Sequence, residues 1–261
     1  MTITIACGQF SPASGDLAGN SERMCAQAHE AARRGARLIV LPELCLCGYS
    51  SPEEARVRAV EIRGAEIRGL QERARTIGIA LCFGFAERAE DGQLHNSMAF
   101  VDRDGALRSV YRKVHLWKAE SAWASPGTGF PSFEAGSLRL GMWICYDTRF
   151  PEAARSLALS GATLCLVGSA WFGPAEEWEL AMRARALDNG IFAAGASVVG
   201  VFEKDLFRGV SLIVDPHGRV IARAREDREE VICADYDDGA VEAFRARLPL
   251  LDDRRPGAYA S

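Results

Sequence analysis

A chain of 261 residues with 48% apolar and 25% charged residues is long enough for a sizeable core and has the composition of an ordinary globular protein. Its 31 basic residues are outnumbered by 35 acidic ones, a net charge of −4, which argues against a nucleic-acid footprint. No apolar run approaches the ~18 residues of a membrane span, so a cytoplasmic protein without a membrane partner is expected.

The opening Met1-Thr2-Ile3-Thr4-Ile5-Ala6-Cys7 alternates like a strand and lacks the pattern of a signal peptide. Asn20 or Ser21 is suited to cap a helix running to about Arg34, with Gly35 just past its end. Leu38 to Leu41 then reads as a short buried strand. A second helix, roughly Glu61 to Ile77, ends at Gly78 and leads into a strand from Ile79 to Phe85. Segments near Asn96–Val101 and Leu107–Arg112, joined by Asp102-Arg103-Asp104-Gly105, form a hairpin with turn residues at its tip.

The second half repeats this order. A strand at Leu138–Ile144 precedes a helix from about Pro151 to Ser160, closed by Gly161. Strand Thr163–Val167, a helix near Glu177–Asn189 and strand Phe192–Val199 follow. A last hairpin joins Gly209–Val214 to Val220–Ala224 through Asp215-Pro216-His217-Gly218. Alternating strands and helices, each half closed by a hairpin, predict an α/β protein with mixed sheets covered by helices. No linker or low-complexity run divides the halves, so one domain over residues 1–261 is expected. From about residue 236, a segment containing Pro249 and Pro256 reads as a C-terminal extension suited to packing on another subunit.

Eight cysteines lie in apolar segments without a C-x-x-C pair, and four histidines have no zinc spacing, so reduced thiols and no metal are expected. One thiol stands apart. In Leu140-Gly141-Met142-Trp143-Ile144-Cys145-Tyr146-Asp147, an apolar strand stops at Cys145 and a polar segment opens a helix. Unpaired N–H groups at such a start favour a thiolate or an oxyanion. A lone buried cysteine is otherwise core filler.

Glu43, in Pro42-Glu43-Leu44, follows a strand at the sheet edge where open α/β folds bind ligands, which makes it a candidate acid or base. Lys113, His115 and Trp117 alternate with Val114 and Leu116 after a hairpin strand. A cation there could hold an oxyanion, while His115 leaves a Cys–His dyad open. Glu120 is a second carboxylate in a loop ending at Pro126-Gly127.

Together these segments resemble the nitrilase superfamily of carbon–nitrogen hydrolases. Pro42-Glu43 with Gly48-Tyr49, Tyr111-Arg112-Lys113-Val114-His115-Leu116, and Ile144-Cys145-Tyr146-Asp147-Thr148-Arg149-Phe150-Pro151-Glu152 stand in that family's order. Glu120 matches its additional glutamate, although Ala124 stands where the pattern has an aromatic residue. Further matches include Arg183-Ala184-Arg185-Ala186 with Asn189, and Gly209 through Gly218, so nearly the whole chain is covered. Asp188, His95 and Ser197 depart from common family residues, which bears on substrate fit rather than on chemistry.

The resemblance implies an α-β-β-α sandwich of two mixed sheets, the kind that pairs into four layers. It implies Cys145 as nucleophile, Glu43 as base and acid, Lys113 and the backbone N–H of Tyr146 as oxyanion donors, and Glu120 as a supporting carboxylate. His115 is then structural. Tyr49, Trp117, Trp171 and Phe172 are candidates for the acyl pocket. No metal or organic cofactor is implied. The expected partner is a small amide, with N-carbamoyl compounds as the alternative substrate and a non-catalytic binding protein as the alternative class. A homodimer or larger homo-oligomer is expected.

Overall fold

The computed structural model describes residues 1–49, 51–202 and 205–259. In chain order the first half contains β1 (Thr2–Gln9), α1 (Leu17–Arg33), β2 (Leu38–Val40), α2 (Pro52–Arg58), α3 (Ala65–Ile77), β3 (Ala80–Arg88), β4 (Leu94–Val101) and β5 (Leu107–Arg112). The second half contains β6 (Phe133–Ala135), β7 (Leu138–Ile144), α4 (Pro151–Leu159), β8 (Leu164–Ser169), α5 (Ala175–Asn189) and β9 (Phe192–Ser197). The short strands β10 (Val199–Phe202), β11 (Asp205–Arg208), β12 (Leu212–Val214) and β13 (Val220–Arg223) come next, then β14 (Glu230–Asp237) and α6 (Asp238–Arg247).

Two six-stranded mixed sheets result, ordered β14-β1-β2-β3-β4-β5 and β13-β12-β9-β8-β7-β6. Each has three adjacent parallel strands flanked by antiparallel ones. The expected two mixed sheets flanked by helices are what forms. The period-2 alternation sorts side chains between layers. Ile5, Cys7, Leu38, Val40 and Cys82 face the second sheet and join its Leu140, Met142 and Leu166 in one core. Ala6, Ile39, Leu81 and Phe83 point the other way and pack with Met24, Ala28, Ile67 and Leu70 of α1 and α3. Each large apolar side chain buried in this way contributes about 1.5–3 kcal/mol.

Several boundaries differ from expectation. Helix α1 starts at Leu17, because the Asp16 side chain accepts the Gly19 N–H at 2.9 Å and caps it four residues early. Asn20 is instead buried, bridging the Ala13 and Leu46 backbones. The helix read over 61–77 begins only at Ala65, and α2, opened by a Ser51–Glu54 capping box, precedes it. Residues 236–247, where an extension was expected to begin, are the end of β14 and α6. There β14 pairs with β1, and α6 buries Val241 and Phe244 against its own chain. No helix of the described residues is long and apolar enough to cross a membrane.

Candidate active site

The strands β2, β5, β7 and β8 deliver their C-terminal ends to one edge of the sandwich. Glu43 turns in between the sheets just after β2. Room for that turn comes from two glycines: a Cβ on Gly84 would sit 2.4 Å from Leu44 N and 2.7 Å from Glu43 Cα, and one on Gly168 would sit 3.0 Å from Glu43 N. A side chain at Gly84 would collide with backbone, so Glu43 reaches its place only because β3 lacks one there.

Lys113 follows β5, its N–H bonded to the Asn96 carbonyl of β4 at 2.8 Å. Its side chain is 1% exposed, as is that of Glu43. Lys113 Nζ donates to Glu43 Oε1 at 2.7 Å and to Glu120 Oε2 and Oε1 at 2.8 and 3.0 Å. Asn96 Nδ2 donates to Glu43 Oε1 and to Glu120 Oε1, both at 2.8 Å. Backbone donors complete the set: Trp117 N–H to Glu120 Oε2 at 2.6 Å and Ala170 N–H to Glu43 Oε2 at 2.9 Å.

Buried charges persist only when paired and hydrogen-bonded, and here one ammonium serves two carboxylates. Burial pulls the Lys113 ammonium down, but Glu43, Glu120 and the Cys145 sulfur outweigh it and hold the ammonium charged, well above its ordinary range. Glu120 moves upward: burial and the Glu43 carboxylate raise it more than Lys113 and the Trp117 N–H lower it.

Cys145 directly follows β7 and opens the short 3-10 turn Cys145–Arg149, with φ at +41°. Left-handed backbone costs a non-glycine residue about 1–2 kcal/mol. Of the four non-glycine residues described with positive φ, Leu44 adjoins Glu43, Lys118 lies two residues before Glu120, and Cys145 is the third. Such strain survives where surrounding contacts over-determine the backbone.

Asp147 supplies those contacts for Cys145. Wholly buried, it accepts the Tyr111 hydroxyl at 2.7 Å and the Ile144 N–H at 3.0 Å on Oδ2, and the His115 N–H at 2.9 Å on Oδ1. His115 Nδ1 also lies 2.8 Å from Oδ1, and its ring stacks on Phe150 at 3.6 Å. Residues two before and two after Lys113 are thereby tied to the turn that carries Cys145. The His115 ring is committed to Asp147, which leaves the Cys–His dyad without a geometric basis.

The Cys145 thiol is pushed well up by burial and by the Glu43 carboxylate, against the pull of Lys113. It therefore rests as a protonated thiol under the influence of the Glu43 carboxylate. The Tyr146 N–H lies in the first turn of the 3-10 segment, where a helix start has no carbonyl of its own to offer it.

A cavity of about 230 Å³ opens onto this cluster, its lining including Leu44, Tyr49, Trp117, Lys118, Glu120 and Phe172. The Lys118 ammonium stands 4.9 Å from the Trp117 ring and 5.0 Å from Phe172. Three of the four expected pocket aromatics thus meet here. Trp171 does not: it is buried 5.2 Å from the Trp178 ring and covered by the Arg149 guanidinium at 4.6 Å. A larger cavity of about 400 Å³, lined by Met1, Ile3, Leu38, Phe100 and Leu138 among others, has neither a cysteine nor a buried charge in its wall. Among the described residues no group of three or more His, Cys, Asp or Glu side chains is arranged to hold a metal ion.

Asn96, Asp147 and the Ala170 N–H were not identified as site groups from sequence. The signal for Asp147 was its place two residues after Cys145; for Asn96 and Ala170, strand-end positions offered little more.

Residues 4–246 match the carbon-nitrogen hydrolase family. The chain is 34% identical over 257 residues to the omega-amidase of Homo sapiens, covering 92% of this chain and 91% of that protein. It is also 34% identical over 266 residues to a probable nitrilase of Schizosaccharomyces pombe, covering 99% of this chain and 98% of that one. A mutant of the amidase from Nesterenkonia sp. AN1, solved with the acetamide moiety of fluoroacetamide added covalently at its active-site cysteine, superposes with a TM-score of 0.87. It is 28% identical, and the match covers 98% of this chain and 94% of that one.

Proposed function

The chain belongs to the carbon–nitrogen hydrolase family of the nitrilase superfamily, and on that premise we propose that it hydrolyses a small linear amide through a thioester on Cys145, releasing ammonia. The observation that carries this reading is the buried cluster of Glu43, Lys113 and Glu120 at the cavity wall, whose charges act on the Cys145 thiol.

An amide carbonyl is a weak electrophile, and a covalent intermediate divides one hard hydrolysis into two easier steps. Glu43 takes the thiol proton as Sγ attacks the carbonyl carbon. The cluster keeps its net charge, because a carboxylate becomes neutral as the sulfur gives up its proton. The new oxyanion lies between Lys113 Nζ and the Tyr146 N–H, and each such donor lowers the barrier by about 3 kcal/mol. As the C–N bond breaks, Glu43 returns the proton to the leaving nitrogen. Water then attacks the thioester, Glu43 takes its proton, and the acid departs as the thiol is restored.

Glu120 grips Lys113 through both oxygens, which keeps the ammonium from folding onto Glu43 alone and aims it at the oxyanion. The small cavity, walled by Tyr49, Trp117 and Phe172, suits short aliphatic or ω-amide acyl groups. Relatives named omega-amidases support that choice. The test is ammonia release from a panel of aliphatic amides, ω-amides of dicarboxylic and amino acids, and N-carbamoyl amino acids. Turnover of the short amides is expected; a preference for N-carbamoyl substrates would replace the amide reading.

The same proposal covers assembly and compartment. Leu159 of α4 and Leu180 and Leu187 of α5 stand exposed on the helical face, Leu180 by 67%, and a second copy of this chain is their proposed cover. Sedimentation at twice the monomer mass or more is the expected result. A reducing, cytoplasmic setting suits the free thiols.

A further inference from the structure

Ser169 closes β8, and its side chain is fully buried. The parallel register pairs Ile144 of β7 with Gly168 of β8, so one step further it carries Cys145 alongside Ser169. The Ser169 hydroxyl has no hydrogen-bond partner, and neither has the hydroxyl of Ser197, its neighbour in β9. A buried hydroxyl left unpaired is uncommon and calls for a physical reason.

We propose that Ser169 is a further catalytic residue, whose hydroxyl donates a hydrogen bond to Cys145 Sγ as the thiol loses its proton. The donor makes no well-formed bond while the sulfur is a neutral thiol and gains one when negative charge develops there. An interaction that strengthens as charge develops lowers the barrier more than it stabilises the resting state. The electrostatics agree in sign. Burial and Glu43 push the thiol up, while Lys113 and the Ser169 hydroxyl, which lies within reach of Sγ without a well-formed bond to it, act in the opposite direction. The next residue, Ala170, gives its N–H to Glu43 Oε2, so one strand end serves both the base and the nucleophile.

No new bond or redox change is involved: the proton goes from Sγ to Glu43, and Ser169 keeps its own. The inference rests on Cys145 as nucleophile, and the experiment separates the two. Alkylation by iodoacetamide is followed across pH by mass spectrometry with mapping of the labelled cysteine, alongside amide kinetics. In Ser169→Ala, hydrogen bonds to charged groups being what they are, labelling of Cys145 at fixed pH and kcat should fall about 10- to 100-fold. The labelling profile should move to higher pH with KM little changed. Ser169→Thr, which keeps a hydroxyl, should recover most of the loss. A Ser169→Ala profile that overlays the wild type, or equal impairment in the Ala and Thr variants, would overturn the role of Ser169 while leaving Cys145 in place. Full turnover in Cys145→Ala would overturn both.

Discussion

Arg112 and Lys113 are adjacent in the chain, and each is paired with a buried glutamate, yet the two pairs are built for different purposes. Arg112 forks onto Glu87 through Nε at 2.9 Å and Nη2 at 2.7 Å, and the Ser97 hydroxyl adds a bond at 2.6 Å. Burial would raise the Glu87 carboxyl, but Arg112 and Ser97 more than offset it and hold it below its ordinary value. A carboxylate so satisfied is a poor proton acceptor. Arg112 is itself 41% exposed, and that pair ties strands together. Lys113 is enclosed and shared between two carboxylates, so charge there does not balance and one carboxyl is raised. The contrast is one of charge balance rather than burial alone: one pair is neutralised and shifted down, the other carries an excess carboxylate shifted up, as the proposed chemistry at Cys145 requires.

Lys113→Met strikes at the difference and should have the largest effect. Turnover is expected to drop about 10³-fold, as for removal of an oxyanion donor. Glu120, already raised by burial and by the Glu43 carboxylate, loses the Lys113 charge that holds it down and takes up a proton more readily when folded than when unfolded. Stability held at acid pH is then lost as pH rises past the unfolded value, so this variant should melt higher at pH 5 than at pH 8. The opposite order in thermal melts would show that Lys113 does not neutralise the pair.

An exchange of cation types probes the same contrast from both sides. Lys113→Arg replaces a point charge with a rigid fork and should lower kcat about 100-fold. Arg112→Lys should leave kcat within about threefold and cost about 1 kcal/mol, discounted for the exposure of Arg112. Equal kinetic losses in the two variants would erase the distinction.

Glu87→Gln should have the smallest effect on activity: kcat unchanged and stability lower by about 1 kcal/mol at pH 7. Because the folded Glu87 is shifted down, its contribution is present above the unfolded carboxyl pKa and disappears as pH falls through the folded value. The gap between wild type and variant, measured by denaturant titration, should therefore close below about pH 4.

Cys145 and Lys113 were legible in the sequence because each sits inside a long local motif at a strand end. The sheets were legible because strands such as Leu138–Ile144 and Phe192–Ser197 are bounded by helix and turn signals. The Asn96 bridge was not, since it joins Glu43 and Glu120 from 53 and 24 residues away. The Ala170 N–H reaches Glu43 across 127 residues and has no side-chain signature at all. Helix α2 carried its signal openly in Ser51-Pro52-Glu53-Glu54, a capping box with proline at its first turn. Trp171, just past the end of β8, was expected in the pocket, but it packs against Trp178 under the Arg149 guanidinium, and its neighbour Phe172 lines the cavity instead.

The most direct test is to mix the protein with a short aliphatic amide, quench early, and map the acyl mass by peptide mass spectrometry. The acyl group is expected on Cys145, with no adduct and turnover reduced by about 10⁴-fold or more in Cys145→Ala. An acyl group on another residue, or a Cys145→Ala variant that still turns over near the wild-type rate, would contradict the account.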